Sequence, residues 1–167
     1  MTLETSRLFL RPMTADDIDA FLVIFTDPKV MKSFDNILFT REQMTAWVTR
    51  NLEHQKIHGY GLFSVLLKED GVLIGDCGLE CQDLDGRREI ELGYDFRSDY
   101  WNQGYATEAA RAVRDYAFHD LKIDRLISFI RPENPASMRV AEKIDMKRER
   151  EILRGGKPYW IYAQQAG

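Results

Sequence analysis

Hydrophobic and polar positions change period several times along this 167-residue chain, and each change marks an element. Arg7-Leu8-Phe9-Leu10-Arg11-Pro12 alternates as a first strand that Pro12 stops. Thr14, followed by Asp16 and Asp17, has the form of an N-cap with acids in the first turn of a helix through Ile18, Phe21, Leu22 and Phe25. Asp27-Pro28 breaks that helix and opens a short helical turn. Thr40 and Gln43 make a capping-box pattern ahead of a helix over 41–58, which Gly59 ends. Two strand candidates, 60–67 and 72–79, flank Glu69-Asp70-Gly71, and Asp85-Gly86 supplies a second hairpin turn into a strand over Glu89–Phe96. The period then becomes helical, with Ala106, Ala109, Ala110, Val113, Tyr116, Ala117 and Leu121 on one face. A strand over Arg125–Ile130, a helix from Pro135 to about Ile144 and a strand pair around Gly155-Gly156 complete the order.

That order predicts an α+β, mixed-sheet domain over 1–167, without linker, repeat or low-complexity segment. The length suffices for a core without staples. A net charge of -4 argues against a general nucleic-acid or anionic-membrane binder. No apolar run is long enough to cross a bilayer, and Met1-Thr2-Leu3-Glu4-Thr5 lacks the basic-then-apolar form of a signal peptide. The two cysteines, Cys77 and Cys81, fit no zinc or redox spacing and read as reduced core thiols of a cytoplasmic protein.

Candidate chemistry concentrates at the centre of the chain. On the Glu89–Tyr94 strand, period two puts Ile90, Leu92 and Tyr94 on one face and Glu89, Glu91 and Gly93 on the other. Glutamates are depleted from strands, so this face is either solvated or lines a cleft where a carboxylate serves as general base. Next, Gln103-Gly104-Tyr105-Ala106 opens the helix from Ala106, and exposed N–H groups at the positive end of a helix dipole form an anion site.

Taken together with Thr5-Ser6-Arg7-Leu8, Leu10-Arg11-Pro12, Asp27-Pro28, Glu91-Leu92-Gly93-Tyr94, Tyr100-Trp101, Gly104-Tyr105-Ala106-Thr107-Glu108-Ala109, and Asn134 with Ser137 before Ala141-Glu142-Lys143, these features give a specific likeness covering essentially the whole chain. The chain resembles the GNAT superfamily of acetyl-CoA-dependent N-acetyltransferases, closest to the RimJ/RimL type. The resemblance implies a mostly antiparallel sheet flanked by helices, with a splayed pair of parallel strands at its centre. It implies that backbone amides across Asn102, Gln103, Gly104, Tyr105, Ala106 and Thr107 take the coenzyme diphosphate. Tyr94, Asp95 and Phe96 would pair with the pantetheine arm and hold the thioester carbonyl polarised. Asn134 would hydrogen-bond the pantetheine, Ser137 would stand near the sulfur as proton donor, and Glu91 would be the base, with Glu89 in reserve. Transfer in the family is direct and needs no covalent nucleophile or metal. The acceptor implied by the subfamily is a protein N-terminal α-amine. A small-molecule amine (polyamine, amino acid or aminoglycoside) and a non-catalytic acyl-CoA sensor are the alternatives, and a homodimer is compatible with the family.

The chain departs from the family pattern twice. Trp101 stands three places before the glycine, where the wider superfamily has Arg or Gln, and Lys143-Ile144-Asp145-Met146 replaces a glycine-bearing helix end. If that spot requires positive φ, aspartate costs more than glycine there. His54 and His58 sit one helical turn apart, without an evident third ligand, and read as a solvated face or the lip of a cleft. Tyr159-Trp160-Ile161-Tyr162 reads as core-packing strand, with Tyr159 or Tyr162 as minority candidates for shaping the acceptor pocket, while Phe34 and Phe39 are candidates for lining its acceptor side.

Overall fold

A computed structural model describes residues 1–167. Eight strands form one sheet: β1 (Leu3–Glu4), β2 (Leu8–Pro12), β3 (Leu62–Leu67), β4 (Leu73–Leu84), β5 (Arg87–Phe96), β6 (Arg125–Ile130), β7 (Lys147–Arg154) and β8 (Lys157–Gln165), in the order β1-β2-β3-β4-β5-β6-β8-β7. All neighbours are antiparallel except β5 and β6. Five α-helices flank it: α1 (Ile18–Phe25), α2 (Pro28–Met31), α3 (Arg41–His58), α4 (Tyr105–Asp115) and α5 (Pro135–Lys143). The fold class is therefore the expected one.

Period-two alternation gives the sheet two apolar faces, and each is covered by helices. One face packs Leu8, Leu10, Val65, Leu79 and Leu92 against Ala109, Ala110 and Val113 of α4 and Ala141 of α5. On the other, Leu62 and Leu73 meet Phe21, Ile24 and Phe25 of α1 and Met44 and Val48 of α3. Polar groups secure the joints. Asp17 accepts from both Nη atoms of Arg11 at 2.7 and 2.9 Å and from Ser64 Oγ at 2.7 Å, which pins the entry to α1 onto β2 and β3. Asp27 caps α2 through Lys29 N–H and accepts from the Ser98 hydroxyl just beyond β5, the physical content of the Asp27-Pro28 signature.

Caps and turns fall where their chemistry puts them. Thr40 and Gln43 close a reciprocal capping box on α3, and Gly59 ends it in the left-handed region at φ 79°. Asp85 and Gly86, at φ 52° and 75°, turn β4 into β5. Several boundaries differ from expectation. Residues 15–17 form a 3-10 turn before α1, and the helix after Gly104 ends in a wide π turn over Tyr116–Asp120. A two-residue strand precedes β2, and β4 continues past Leu79 to Leu84. The outer strand β7 presents Lys147, Arg148, Glu149, Arg150 and Glu151 to solvent, charges that discourage edge-to-edge pairing.

One departure from a regular sheet positions everything that follows. The parallel ladder registers β5 with β6 only at Glu91↔Ile127. Past it, β5 runs on to Phe96 and β6 to Ile130 without further registered pairs. Ser128 Oγ donates to Leu92 O at 2.6 Å just inside the point where the strands part.

Candidate active site

The parting of β5 and β6 opens into a cavity of about 810 Å³ whose wall also includes the start of α4, the start of α5 and the segment around α2. Of the residues singled out from the sequence, it gathers Glu91, Tyr94, Asp95, Phe96, Asn102, Gly104, Tyr105, Ala106, Thr107, Asn134 and Ser137. Phe34 and Tyr159 line it as well, whereas Tyr162 is fully buried in the core and Phe39 packs on Phe25 with ring centroids 5.2 Å apart. Glu89 and Gln103 stand outside it.

Glu89 shares a strand face with Glu91 but not its surroundings. In the parallel register set by Ile127, Arg125 of β6 lies beside Glu89, and its guanidinium meets the carboxylate at 3.2 Å while also gripping Glu149 at 2.8 Å. Glu91 has no such cation in contact. Its carboxylate accepts from Gln82 Nε2 at 2.9 Å, and across the hairpin it pairs with Glu80. Burial first, and then the charge of Glu80, push the Glu91 carboxyl up to about 7, with the Gln82 hydrogen bond acting in the opposite direction. A carboxylate facing a cavity with a value near neutrality suits proton abstraction.

At the other end of the opening, Gly104 occupies φ 83° as N-cap of α4 and offers no capping side chain, which leaves the first amides of the helix unsatisfied within the cavity. Only glycine takes this backbone conformation without strain. The loop is braced from a distance. Glu108 accepts from Thr5 Oγ1, Ser6 Oγ, Arg7 N and Arg7 Nε at 2.7–3.0 Å, while Arg7 Nη1 donates to Gln103 O at 2.9 Å and the guanidinium lies 4.2 Å over the Tyr105 ring. Gln103 thus contributes its backbone to the brace. Trp101 donates from Nε1 to Phe96 O at 2.9 Å, so the tryptophan at this position terminates β5 and lines the cavity.

Between the two ends lie the hydroxyls of Tyr94 and Ser137. Tyr94 donates to Ser137 O at 2.8 Å, and Ser137 Oγ donates to the Tyr94 hydroxyl at 3.2 Å; burial raises the phenol. Asn134 caps α5 by accepting from Ser137 N–H at 3.2 Å and donates to Ser33 Oγ at 3.2 Å, linking α5 to the segment after α2 across the mouth.

Three residues on or beside the cleft face of β4 escaped the sequence reading: Gln82, Glu80 and Asp76. Their signal was available, because a two-residue Asp85-Gly86 turn fixes the cross-strand pairs Gln82↔Glu89, Glu80↔Glu91 and Asp76↔Asp95. The alternating pattern ends at Leu79, whereas the strand runs on to Leu84. Cys81 also departs from expectation. Only Cys77 is in the core; Cys81 is half-buried, 3.5 Å from His58 Nδ1, with a ligand atom from each of His54, His58 and Cys81 within 4.8 Å of one another. His54 uses both ring nitrogens in hydrogen bonds, to Tyr60 O at 3.0 Å and Cys81 N–H at 2.9 Å, and so extends the β3–β4 ladder beyond its last backbone pair.

Comparison with known proteins decides the family. A family model described as an acetyltransferase (GNAT) domain matches residues 7–147. The chain belongs to the GNAT acetyltransferases. It is 36% identical over 165 residues to the uncharacterized protein YkkB of Bacillus subtilis, covering 98% of this chain and 95% of the relative. It is 33% identical over 163 residues to the uncharacterized N-acetyltransferase YnaD of the same organism, covering 96% and 92%. Among solved structures, a GNAT-family acetyltransferase from Bacillus anthracis superimposes with a TM-score of 0.83 at 31% identity over 99% of both chains. As a member of this family the protein is an N-acetyltransferase. No helix is long and apolar enough to cross a membrane.

Proposed function

We propose that the protein moves an acetyl group from acetyl-CoA directly onto a primary amine held in this cleft, with Glu91 as general base. The observation that carries the reading is one of position: an unpaired strand edge, an uncapped helix N-terminus and a near-neutral carboxylate face the same cavity. The residues fit the coenzyme. The amides from Asn102 to Thr107 would take its diphosphate, the backbone of Tyr94, Asp95 and Phe96 would pair with the pantetheine arm and polarise the thioester carbonyl, and Asn134 would add a side-chain contact.

The chain's own groups then supply proton movement and position. An amine attacks only when neutral, and Glu91, held by Gln82, takes the amine proton as the N–C bond forms and the C–S bond breaks. The departing thiolate receives a proton from the Tyr94–Ser137 hydroxyl pair. At pH 8 most Glu91 is ionised, given a value of about 7. An α-amine, with a reference pKa of about 7.7–8.0, asks less of the base than lysine at about 10.4.

The RimJ/RimL likeness points to a protein N-terminal α-amine as acceptor. The acids Asp76, Glu80, Glu91 and Asp95 on the cleft wall favour a small cationic amine instead. The test is coenzyme A thiol release from acetyl-CoA across a panel of α-amino peptides, N-terminally blocked lysine peptides, amino acids, aminoglycosides and alkyl amines. Release that depends on one amine class supports the reading. Coenzyme binding without release from any amine would overturn it in favour of a sensor.

A further inference from the structure

The cleft face of the β4–β5 hairpin carries two acidic cross-strand pairs, Glu80↔Glu91 and Asp76↔Asp95, with Gly78↔Gly93 midway between them. All four acids line the same cavity. Four residues of strand at about 3.3 Å each put the two pairs about 13 Å apart along the sheet. Gly93 leaves the intervening floor open, since a Cβ placed there would meet nothing within 4 Å.

The second pair is under-satisfied. Asp76 is 1% exposed, yet its Oδ2 has no hydrogen-bond partner. It stands opposite Asp95 in the hairpin, and burial, then the charges of Asp95 and Glu80, hold its carboxyl well above the usual carboxylate range. Asp95 is pushed up to about 6 by burial. The arginines that act on this wall, Arg50 and Arg154, act at Glu80 rather than here. A buried carboxyl with an orphaned oxygen and no cation is costly to keep. The same cavity is lined by the apolar side chains of Val30, Trp47 and Leu62, and its cations include Lys29, Lys32, Arg131 and Arg154. Acid below and hydrocarbon beside it is the environment of an alkylammonium: the carboxylates take the charge, the apolar wall takes the methylenes, and Trp47 adds a π face for a cation.

Resting on the acetyl-transfer reading of this cleft, we infer that the acceptor is a linear aliphatic diamine or polyamine. One primary amine is acetylated beside Glu91 while a second ammonium docks on Asp76 and Asp95. The spacing of the acidic pairs along the sheet, about 13 Å, sets the scale of the separation between the two nitrogens.

The experiment compares alkyl monoamines with diamines of matched and graded length, alongside a peptide with a free α-amine, on wild type and Asp76→Asn. For wild type, diamines should exceed matched monoamines in kcat/KM by at least about tenfold, with an optimum at intermediate length. Asp76→Asn should raise the diamine KM by a similar factor, leave its kcat in place and move monoamine values less than about twofold. Calorimetric binding of acetyl-CoA to Asp76→Asn shows that the variant is folded, and the length series on wild type needs no variant at all. Equal use of monoamines and diamines, a preference for the peptide, or equal loss on both substrates in Asp76→Asn would overturn the diamine subsite while leaving amine acetylation standing. Silence with every amine would overturn the underlying transfer reading as well.

Discussion

Glu91→Gln should move activity and stability in opposite directions, and the burial of the carboxyl gives the magnitude of the second. The wild-type carboxyl is pushed from an ordinary 4.5 to about 7, chiefly by burial and then by Glu80. At about 1.4 kcal/mol per pH unit, that displacement corresponds to about 3 kcal/mol. Because the folded-state value is raised, the cost is absent below pH 4.5, grows between pH 4.5 and about 7, and is fully present above. Glutamine carries no charge and keeps the contact with Gln82 Nε2 through its own carbonyl. Urea denaturation at pH 8.5 should therefore show Glu91→Gln more stable than wild type by up to about 3 kcal/mol, with the advantage fading towards pH 4.5. Turnover should fall by about 10²–10⁴-fold at pH 7–8, the usual range for a lost general base, and recover partly at high pH as free amine accumulates. Wild-type kcat/KM should show an acidic limb near pH 7 that the variant lacks. A variant less stable than wild type at pH 8.5, or one that retains full turnover with the acidic limb intact, would rule out Glu91 as a buried, near-neutral base.

Two further substitutions test the frame around the site. Glu108→Ala removes the acceptor of four hydrogen bonds from Thr5, Ser6 and Arg7 and should cost about 2–3 kcal/mol in urea denaturation, with weaker acetyl-CoA binding because Arg7 also holds Gln103 O. Burial pushes the Glu108 carboxyl up, but those hydrogen bonds outweigh it and hold it below 4.5, so this contribution is present above pH 4.5 and is lost as pH falls below it; a deficit that instead grew in acid would count against the brace. Asp145→Gly should stabilise the fold by about 1 kcal/mol, since Asp145 sits at φ 72° and gives up only a largely exposed contact to Arg114 at 3.2 Å. An unchanged or lowered melting temperature would contradict it.

Local signals were legible in the sequence because local chemistry enforces them. The Thr40–Gln43 box and Gly59 delimit α3 without outside help, and the positive φ at Asp145 follows from a helix end that lacks its glycine. Glu91 was legible as a cleft candidate because the period of two is a property of the strand itself. What the sequence could not display are relations between distant segments. Glu89 and Glu91 look equivalent by alternation, and only the register of β6, some 36 residues onward, places Arg125 beside the first and open cavity beside the second. Thr5 and Glu108 are 103 positions apart, and their bond forms only once β2 and α4 pack. The Cys81–His54–His58 cluster needs the end of α3 folded back over β4. Glu80 and Gln82 lie past Leu79, where the alternating pattern ends, and only the register imposed by the Asp85-Gly86 turn carries the strand on to Leu84 and sets Asp76 opposite Asp95.

Direct acetyl transfer from acetyl-CoA to an amine in the β5–β6 opening would leave no acylated protein intermediate. Its most direct test is a single-turnover reaction with isotopically labelled acetyl-CoA and an accepted amine, followed by mass spectrometry of both the amine and the intact protein. Label is expected on the amine nitrogen in equal amount to released thiol, with none on Cys81 or any other side chain at any time. Label that first appears on the protein, or thiol release matched by free acetate rather than acetylated amine, would contradict it.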